Sequence, residues 1–318
     1  LSSGGSESIN IAECTRFTRD TFSPELQILL FTIFLCIYVT SLLGNLSIML
    51  VYQYSATLHT PMYFFLANFS CLEICYISST VPKMLSNLLS EHKSITFYGC
   101  AMQMYCFLVF GSAECYMLAS MAYDRYNAIC HPLLYGSIMN KKLCFYLIGG
   151  PWLVGVVNAL IHTSLTFTLE FCGTNKIQHF FCDIPPVLEL ACTDTRINEV
   201  AIFIIISSVI IGSCILTMIS YTLIISTIVS IKSASGRKKA FSTCTSHLIV
   251  VTLFYGSGIF MYIRPKSSYS MTRDRPVSVL YAVLAPLLSP FIYSLRNKDV
   301  KDAIRKLVYE ICSYESKL

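Results

Sequence analysis

Charge is what this sequence has least of. Of its 318 residues only 13% are Asp, Glu, Lys or Arg, while 54% are hydrophobic and the mean hydropathy is +0.61. A soluble domain carries about 25% charged residues, so an ordinary soluble fold is excluded and a polytopic membrane protein is expected. Catalytic signatures are missing too: no phosphate-binding loop, no His-Glu-x-x-His and no Gly-x-Ser-x-Gly occurs. An intramembrane enzyme needs a nucleophile and a base in register, and His162 and His247 fall near opposite membrane faces. Neither an internal repeat nor a continuous polar path is present, which argues against a transporter or channel. The N-terminal segment lacks an apolar core, so no cleavable signal peptide is expected and the first span serves as the insertion signal.

What remains is a succession of seven apolar runs with short polar joints. A spanning helix takes ~20 mostly apolar residues, and the runs place spans at 26–52, 61–89, 99–124, 143–167, 199–230, 241–263 and 276–295. The expected fold is an all-α membrane protein, a seven-transmembrane helix bundle with a short amphipathic C-terminal helix. Residues 1–25 form an outer tail, 26–295 the bundle and 296–318 the inner helix and tail. Orientation follows from Lys and Arg. The joint between spans five and six holds Lys232, Arg237, Lys238 and Lys239 with no acid, and the last segment opens with Arg296, Lys298 and Lys301. Both belong inside by the positive-inside rule. Alternation then places Arg264, Lys266, Arg273 and Arg275, between spans six and seven, in a solvated outer loop.

The chain has 15 cysteines. Cys36, Cys71, Cys75, Cys115 and Cys214 lie in spans as small apolar fillers. Cys14, Cys100, Cys172, Cys182 and Cys192 fall outside, where bridges are permitted. With Cys14 left over, four cysteines allow three pairings, and spacing does not choose among them. His179, Cys182 and Asp183 have the look of a metal triad, but a cysteine held in a disulfide is no thiolate ligand.

Polar groups inside spans are costly and usually functional. Asn45, Asn68 and Glu73 lie mid-span in the first two helices, and Glu114 lies mid-span in the third. If these helices pack together, Asn45, Asn68 and Glu73 form one polar cluster that Glu114 joins, and its two carboxylates share a proton or hold a cation such as Na⁺, with Asn45, Glu73 and Glu114 as the cation site. Pro82, Pro151, Pro286 and Pro290 interrupt spans as kinks whose freed carbonyls neighbours re-satisfy. From Asn297 to Tyr309, Val300, Ile304, Leu307 and Val308 recur at helical spacing beside Lys301, Arg305 and Lys306, the pattern of a helix lying on the inner leaflet. The triplets Asn45-Leu46-Ser47 and Asn68-Phe69-Ser70 lie within spans and are discounted as glycosylation sites. At the inner end of span three stands Met121-Ala122-Tyr123-Asp124-Arg125-Tyr126, where an Arg held by its neighbouring Asp is available for release.

Several motifs together resemble the olfactory receptors, in their larger tetrapod-type subgroup, within the rhodopsin-like G-protein-coupled receptor class. They are Gly44-Asn45, the run from Leu58 to Leu66, Met121 to Cys130, Lys239 to His247, and Pro290 to Asn297. The resemblance runs from Phe22 to Ile311. It implies a small volatile ligand held in the bundle, a stimulatory olfactory-type G protein, raised cyclic AMP and residence in the plasma membrane. It also implies the pairs Cys100–Cys182 and Cys172–Cys192. The ligand wall implied on this chain is Met104, Phe107, Leu108, Gly111, Ser112, Phe203, Ser207, Tyr255, Ile259, Tyr262 and Val279, with Ser112, Ser207, Tyr255 and Tyr262 as polar anchors. The implied G-protein switch is Asp124, Arg125, Tyr126, Lys238, Lys239, His247, Pro290 and Tyr293. Three features depart from the family pattern: Asn127 after the switch motif, Ser289 before Pro290, and an N-terminal segment without a glycosylation triplet.

Overall fold

A peptide group in hydrocarbon has no water to bond, so each apolar run closes its own backbone bonds as a helix. A computed structural model of the chain describes residues 15–17, 23–91, 93–172, 176–177, 179–263, 277, 282–283, 285–296, 300–306 and 309. In chain order the elements are β1 (Thr15–Phe17), α1 (Pro24–Tyr54), α2 (Pro61–Leu89), β2 (Ser94–Ile95), α3 (Phe97–Cys130), α4 (Tyr135–Ile138), α5 (Lys141–Phe167), β3 (Lys176–Ile177), α6 (Ile184–Leu188), α7 (Arg196–Ala201), α8 (Ser207–Ser230), α9 (Ala234–Tyr262) and α10 (Ala285–Arg296). Among the described residues six helices are long and apolar enough to cross a membrane, with α7 and α8 counted as one unit through a π-helical turn at Ile202–Ile206. The seventh span is described at Val277, Ala282, Val283 and α10. The fold is therefore an all-α, multi-pass, seven-helix bundle.

Local chemistry sets where the helices begin. Ser23, Thr96, Asn140 and Ser233 each accept a backbone N–H from the first turn of α1, α3, α5 and α9, which satisfies donors that the helix itself cannot. Pro24 and Pro61 occupy first-turn positions where no N–H is needed.

Helix α3 is the axis of the bundle and packs against α2, α5, α8 and α9. Its close approach to α5 depends on Gly155: a Cβ there would run into the carbonyl of Val109. Gly44 plays the same part between α1 and α10, since a Cβ there would sit 3.1 Å from the ring of Pro290.

Two of the prolines are compensated by side chains from neighbouring helices. Pro290 has no N–H to give the carbonyl four residues earlier, Pro286 O, and Ser41 Oγ donates to that oxygen at 3.0 Å. Pro151 likewise frees Leu147 O, which Ser120 Oγ reaches at 2.9 Å. Each of these two prolines thus ties one helix to another.

At the end of the bundle that carries the disulfides, β1 lies between β2 and β3. It is antiparallel to β2 (Thr15↔Ile95) and parallel to β3 (Phe17↔Ile177). The segment before α1 is thereby stitched to the α2–α3 and α5–α7 connections, where the sequence had indicated only a tail. Three boundaries also differ from expectation. Helix α3 continues to Cys130, so Asp124, Arg125 and Tyr126 lie within it. Span five carries the π turn. Helix α9 starts at Ala234, so Lys238 and Lys239 are helical rather than in a joint. Residues 300–306 are helical, with Val300 buried and Lys301, Arg305 and Lys306 exposed. Cys14, Arg264, Lys266, Arg273 and Arg275 lie outside the described residues.

Candidate functional site

The structure joins Cys100 to Cys182, Cα atoms 5.5 Å apart, and Cys172 to Cys192, 5.8 Å apart. Cys36, Cys71, Cys75, Cys115 and Cys214 are free. The first bridge pins the connection after β3 against α3, and two bonds from one side chain reinforce it. Gln103 Oε1 accepts the Cys182 N–H at 2.9 Å, and Gln103 Nε2 donates to Ser79 O at 3.1 Å. Phe181 is thereby pressed onto Phe107, ring centroids 5.0 Å apart, and Phe107 stacks on Tyr76 at 5.2 Å. Aromatic pairs at such separations are favourable beyond their buried area. They close the disulfide end of the interior over Met104, Phe107 and Leu108, all buried.

Asp183, next to the bridge, is fully buried. It caps α6 by accepting the Ile184 N–H at 2.8 Å, and it accepts the Tyr262 hydroxyl at 3.0 and 3.1 Å. Burial pushes its carboxyl up to about 6, with the Ile184 N–H and the Tyr262 hydroxyl pulling it back only in part. His179 belongs to the same connection, its Nδ1 3.1 Å from Phe181 O. With Cys182 in a disulfide, the apparent metal triad has no thiolate to offer.

Deeper in, Tyr255 of α9 donates to Cys115 O of α3 at 2.7 Å and stands 3.4 Å from Thr217 Oγ1 of α8. One phenol therefore couples three helices. Glu73 and Glu114 are close enough for their charges to interact, and Ser289 of α10 sits beside Glu73. All four carboxyl oxygens are sealed from solvent and, among the described residues, within strict hydrogen-bond reach of nothing. Asn45 is not shown joining them: its amide donates back to Ser41 O at 3.1 Å, on the α1–α10 seam. Asn68 turns its amide to Phe64 O of its own helix.

Toward the other end, Asp124 Oδ1 accepts the Tyr135 hydroxyl from α4 at 2.8 Å. Burial and the charge of Asp124 together push the Tyr135 phenol upward, so it stays a donor. Arg125 is buried and acts electrostatically on Tyr221, Cys244 and His247 as well as on Asp124. Tyr221 and His247 are themselves hydrogen-bonded across α8 and α9 at 2.7 Å. Tyr126 is hydrogen-bonded to His131 at 3.0 Å, and Asn127 turns its amide to Tyr123 O of its own helix.

Several expected site residues stand elsewhere than the sequence suggested. Phe203 and Ile259 are 57% and 40% exposed, on the outside of the bundle. Ile259 lines an apolar groove of about 380 Å³ with Ile211, Cys214, Ile215, Met218 and Leu223. His247 does not border an opening but is sealed between helices, while Lys238 is exposed. Gly111 is buried on α3, and Pro290 is buried against Gly44. Val279 and the side chains of Lys239 and Tyr293 lie outside the described residues. Of the four polar anchors, three have hydroxyls already engaged: Tyr255 with Cys115 O, Tyr262 with Asp183, and Ser112 with Asn158 Nδ2 at 2.7 Å. Of the four, Ser207 Oγ is the one buried without a partner among the described residues.

Sequence reading had passed over Asn158, Tyr135 and Tyr221, and had weighed His162 only as an enzyme base. For Asn158 and His162 a signal existed: two polar side chains four residues apart share one face of an otherwise apolar span. For the two tyrosines none did, because their partners lie on other helices, 11 and 26 residues away.

Comparison with known proteins bears on this arrangement directly. The family model for olfactory receptors matches residues 34–311. The chain is 50% identical over 307 residues to olfactory receptor 5AP2 of Mus musculus, covering 96% of this chain and 97% of that one. It is 52% identical over 285 residues to olfactory receptor 5I1 of Homo sapiens, covering 90% and 91%. To olfactory receptor 5AU1 of Homo sapiens it is 50% identical over 287 residues, covering 90% and 79%.

Proposed function

The chain belongs to the olfactory receptor family, a family of receptors and not of enzymes, and from that premise we propose that it turns binding of a small volatile molecule into activation of a stimulatory, olfactory-type G protein. It resides in the plasma membrane with its N-terminus outside and its Arg125 end facing the cytoplasm, and cyclic AMP carries its signal. The ligand is small and mostly apolar. It enters the interior lined by Met104, Phe107 and Leu108 beneath the disulfide-pinned connection.

The observation that supports this reading best is the coupling through α9. Tyr255 ties the centre of α9 to α3 and stands near α8, and His247, two turns away on the same helix, closes the layer around Arg125. A ligand that binds one arrangement of Tyr255 better than another shifts the population of α9 positions. An α9 that swings away would uncover Arg125 for the G protein, with exposed Lys238 on the same rim.

The test is cyclic AMP in cells carrying this chain and the olfactory G protein, challenged with a broad odorant panel, with Arg125→Ala in parallel and surface staining of both. A response that disappears in the variant at equal surface level supports the reading. A response that survives Arg125→Ala rules the switch out. Silence of a well-delivered receptor counts against the coupling.

Glu73 and Glu114 favour a second element of the same mechanism, a bound Na⁺ or similar monovalent cation. Two sealed carboxyl groups, with Ser289 beside Glu73, need either protons or a counter-charge. Their oxygens with the Ser289 hydroxyl form a hard-oxygen donor set, with Asn45 assigned to the α1–α10 seam instead. Unchanged salt sensitivity and signalling in Glu114→Gln would count against the cation.

A further inference from the structure

The hydroxyls expected to anchor a ligand are mostly spent within the fold, and the unspent polar atoms lie on other helices. Among the described residues, Asn158 Oδ1 and His162 Nε2 on α5, and Ser207 Oγ on α8, are sealed from solvent and without a hydrogen-bond partner. Their residues are 4%, 1% and 7% exposed. A buried polar atom left unbonded is costly, so three in one region call for an occupant.

Helix register places them together. The buried stripe of α5, Gly155, Asn158, Ala159, His162 and Thr166, faces α3, fixed by the Gly155–Val109 approach and the Asn158–Ser112 bond. The two helices run in opposite directions. One turn along α5, about 6 Å, brings His162 level with Leu108, one turn back along α3. Tyr255, which bonds Cys115 O and approaches Thr217, sets α8 against α3 in the same way. Ten residues back along each, about 15 Å, Ser207 comes level with Tyr105, within a turn of Leu108. His162 and Ser207 therefore enter the same layer of the interior from two sides, with Asn158 one turn deeper.

Resting on the receptor reading above, we propose that Asn158, His162 and Ser207 form the polar anchor of the ligand site and select a ligand bearing a hydroxyl group. Asn158 uses its amide N–H on Ser112, so its free oxygen accepts only and demands a donor. Ser207 both donates and accepts, and a neutral imidazole offers one of each. An alcohol supplies the matching set, one O–H donor and two lone pairs. An aldehyde, ketone or ether brings no donor and leaves the Asn158 oxygen unbonded. A carboxylate would bury a charge, and the described parts of α3, α5, α8 and α9 around this layer carry no Lys or Arg.

The experiment uses the full chain with small alcohols of graded length, their methyl ethers and the matching aldehydes. It reads cyclic AMP potency at controlled surface level, and thermal stabilisation of the purified receptor. Alcohols are expected to outrank their ethers on the unaltered chain. In His162→Phe and Asn158→Leu their potency falls about tenfold or more, while ethers and aldehydes shift by less than about threefold. His162→Gln, which keeps a donor and an acceptor, retains most of the alcohol response. Thermal stabilisation by an alcohol that is lost in His162→Phe, without any cyclic AMP signal, upholds the anchor and rejects the signalling reading. A receptor that answers only to aldehydes or ethers rejects the anchor and leaves the signalling reading standing. The anchor is also overturned by equal losses across all three ligand classes, or by no effect of any alcohol in either assay. Unchanged alcohol potency in the variants overturns it too and assigns the three atoms to internal water.

Discussion

The Tyr221 hydroxyl on α8 and Nδ1 of His247 on α9 lie 2.7 Å apart, both side chains buried and their rings stacked 5.7 Å apart. Arg125 interacts with both. With Arg125 buried, the proposed switch assigns this bond to its closed arrangement. Tyr221→Phe removes the bond to His247 Nδ1 without opening a cavity, at a cost to the closed form of roughly 1–3 kcal/mol. Ligand-free cyclic AMP should rise, about tenfold for each 1.4 kcal/mol, in an assay at matched surface level. A fall in ligand-free signal would place the bond in the open form instead.

Tyr135 is the hydroxyl donor to the buried Asp124. Tyr135→Phe leaves that carboxyl oxygen without it, so the purified receptor should unfold at a lower temperature, by roughly 1–3 kcal/mol in stability. Asp124→Asn, able to keep a bond to Tyr135, should lose less. Equal losses would mean that the charge of Asp124, not its bond to Tyr135, is what matters.

Asp183 gives the disulfide end a pH dependence. Its carboxyl sits at about 6 in the folded protein against an ordinary 3.8, chiefly because it is buried. The folded form therefore holds that proton more tightly than the unfolded form. Stability from this group is present below about pH 4, falls as pH rises toward about 6 and is flat above. The total change is at most about 3 kcal/mol. Thermal unfolding across that window, compared with Asp183→Asn, isolates the effect, since the variant should lose this part of the slope. An identical slope in both would assign it to other carboxyl groups.

Gly155 and Gly150 make a matched pair on one helix. A Cβ at Gly155 meets the backbone of α3, whereas at Gly150 nothing lies within 4 Å. Gly155→Ala forces α3 and α5 apart, and overpacking of this kind costs about 1–3 kcal/mol. Its surface level and melting temperature should drop. Gly150→Ala, by gaining helix propensity, should be neutral or slightly stabilising. Similar behaviour of the two would mean that α5 is free to slide on α3.

Where the signal was local, the candidate residues were visible in the sequence. The Asp124-Arg125-Tyr126 run, the two mid-span glutamates and the prolines each announce themselves by being out of place in an apolar helix. The availability of Ser112, Tyr255 and Tyr262 was not visible. Whether a hydroxyl is free depends on Asn158, Cys115 O and Asp183, which lie 46, 140 and 79 residues away. Phe203 and Ile259 were misplaced for a related reason. In a helix that is apolar all round, hydrophobicity does not tell the face toward lipid from the face toward the bundle.

By itself the sequence determined the seven spans, because the bilayer demands one thing of each: about twenty apolar residues closing their own backbone bonds. It likewise determined where the kinks fall, since proline removes an N–H wherever it stands. Only the tertiary structure decided which side chains take up the freed carbonyls, which polar atoms are spent and which stay without a partner among the described residues, and that β1 joins two distant connections. Those outcomes rest on distances between helices, which packing of the whole bundle fixes and no single segment encodes.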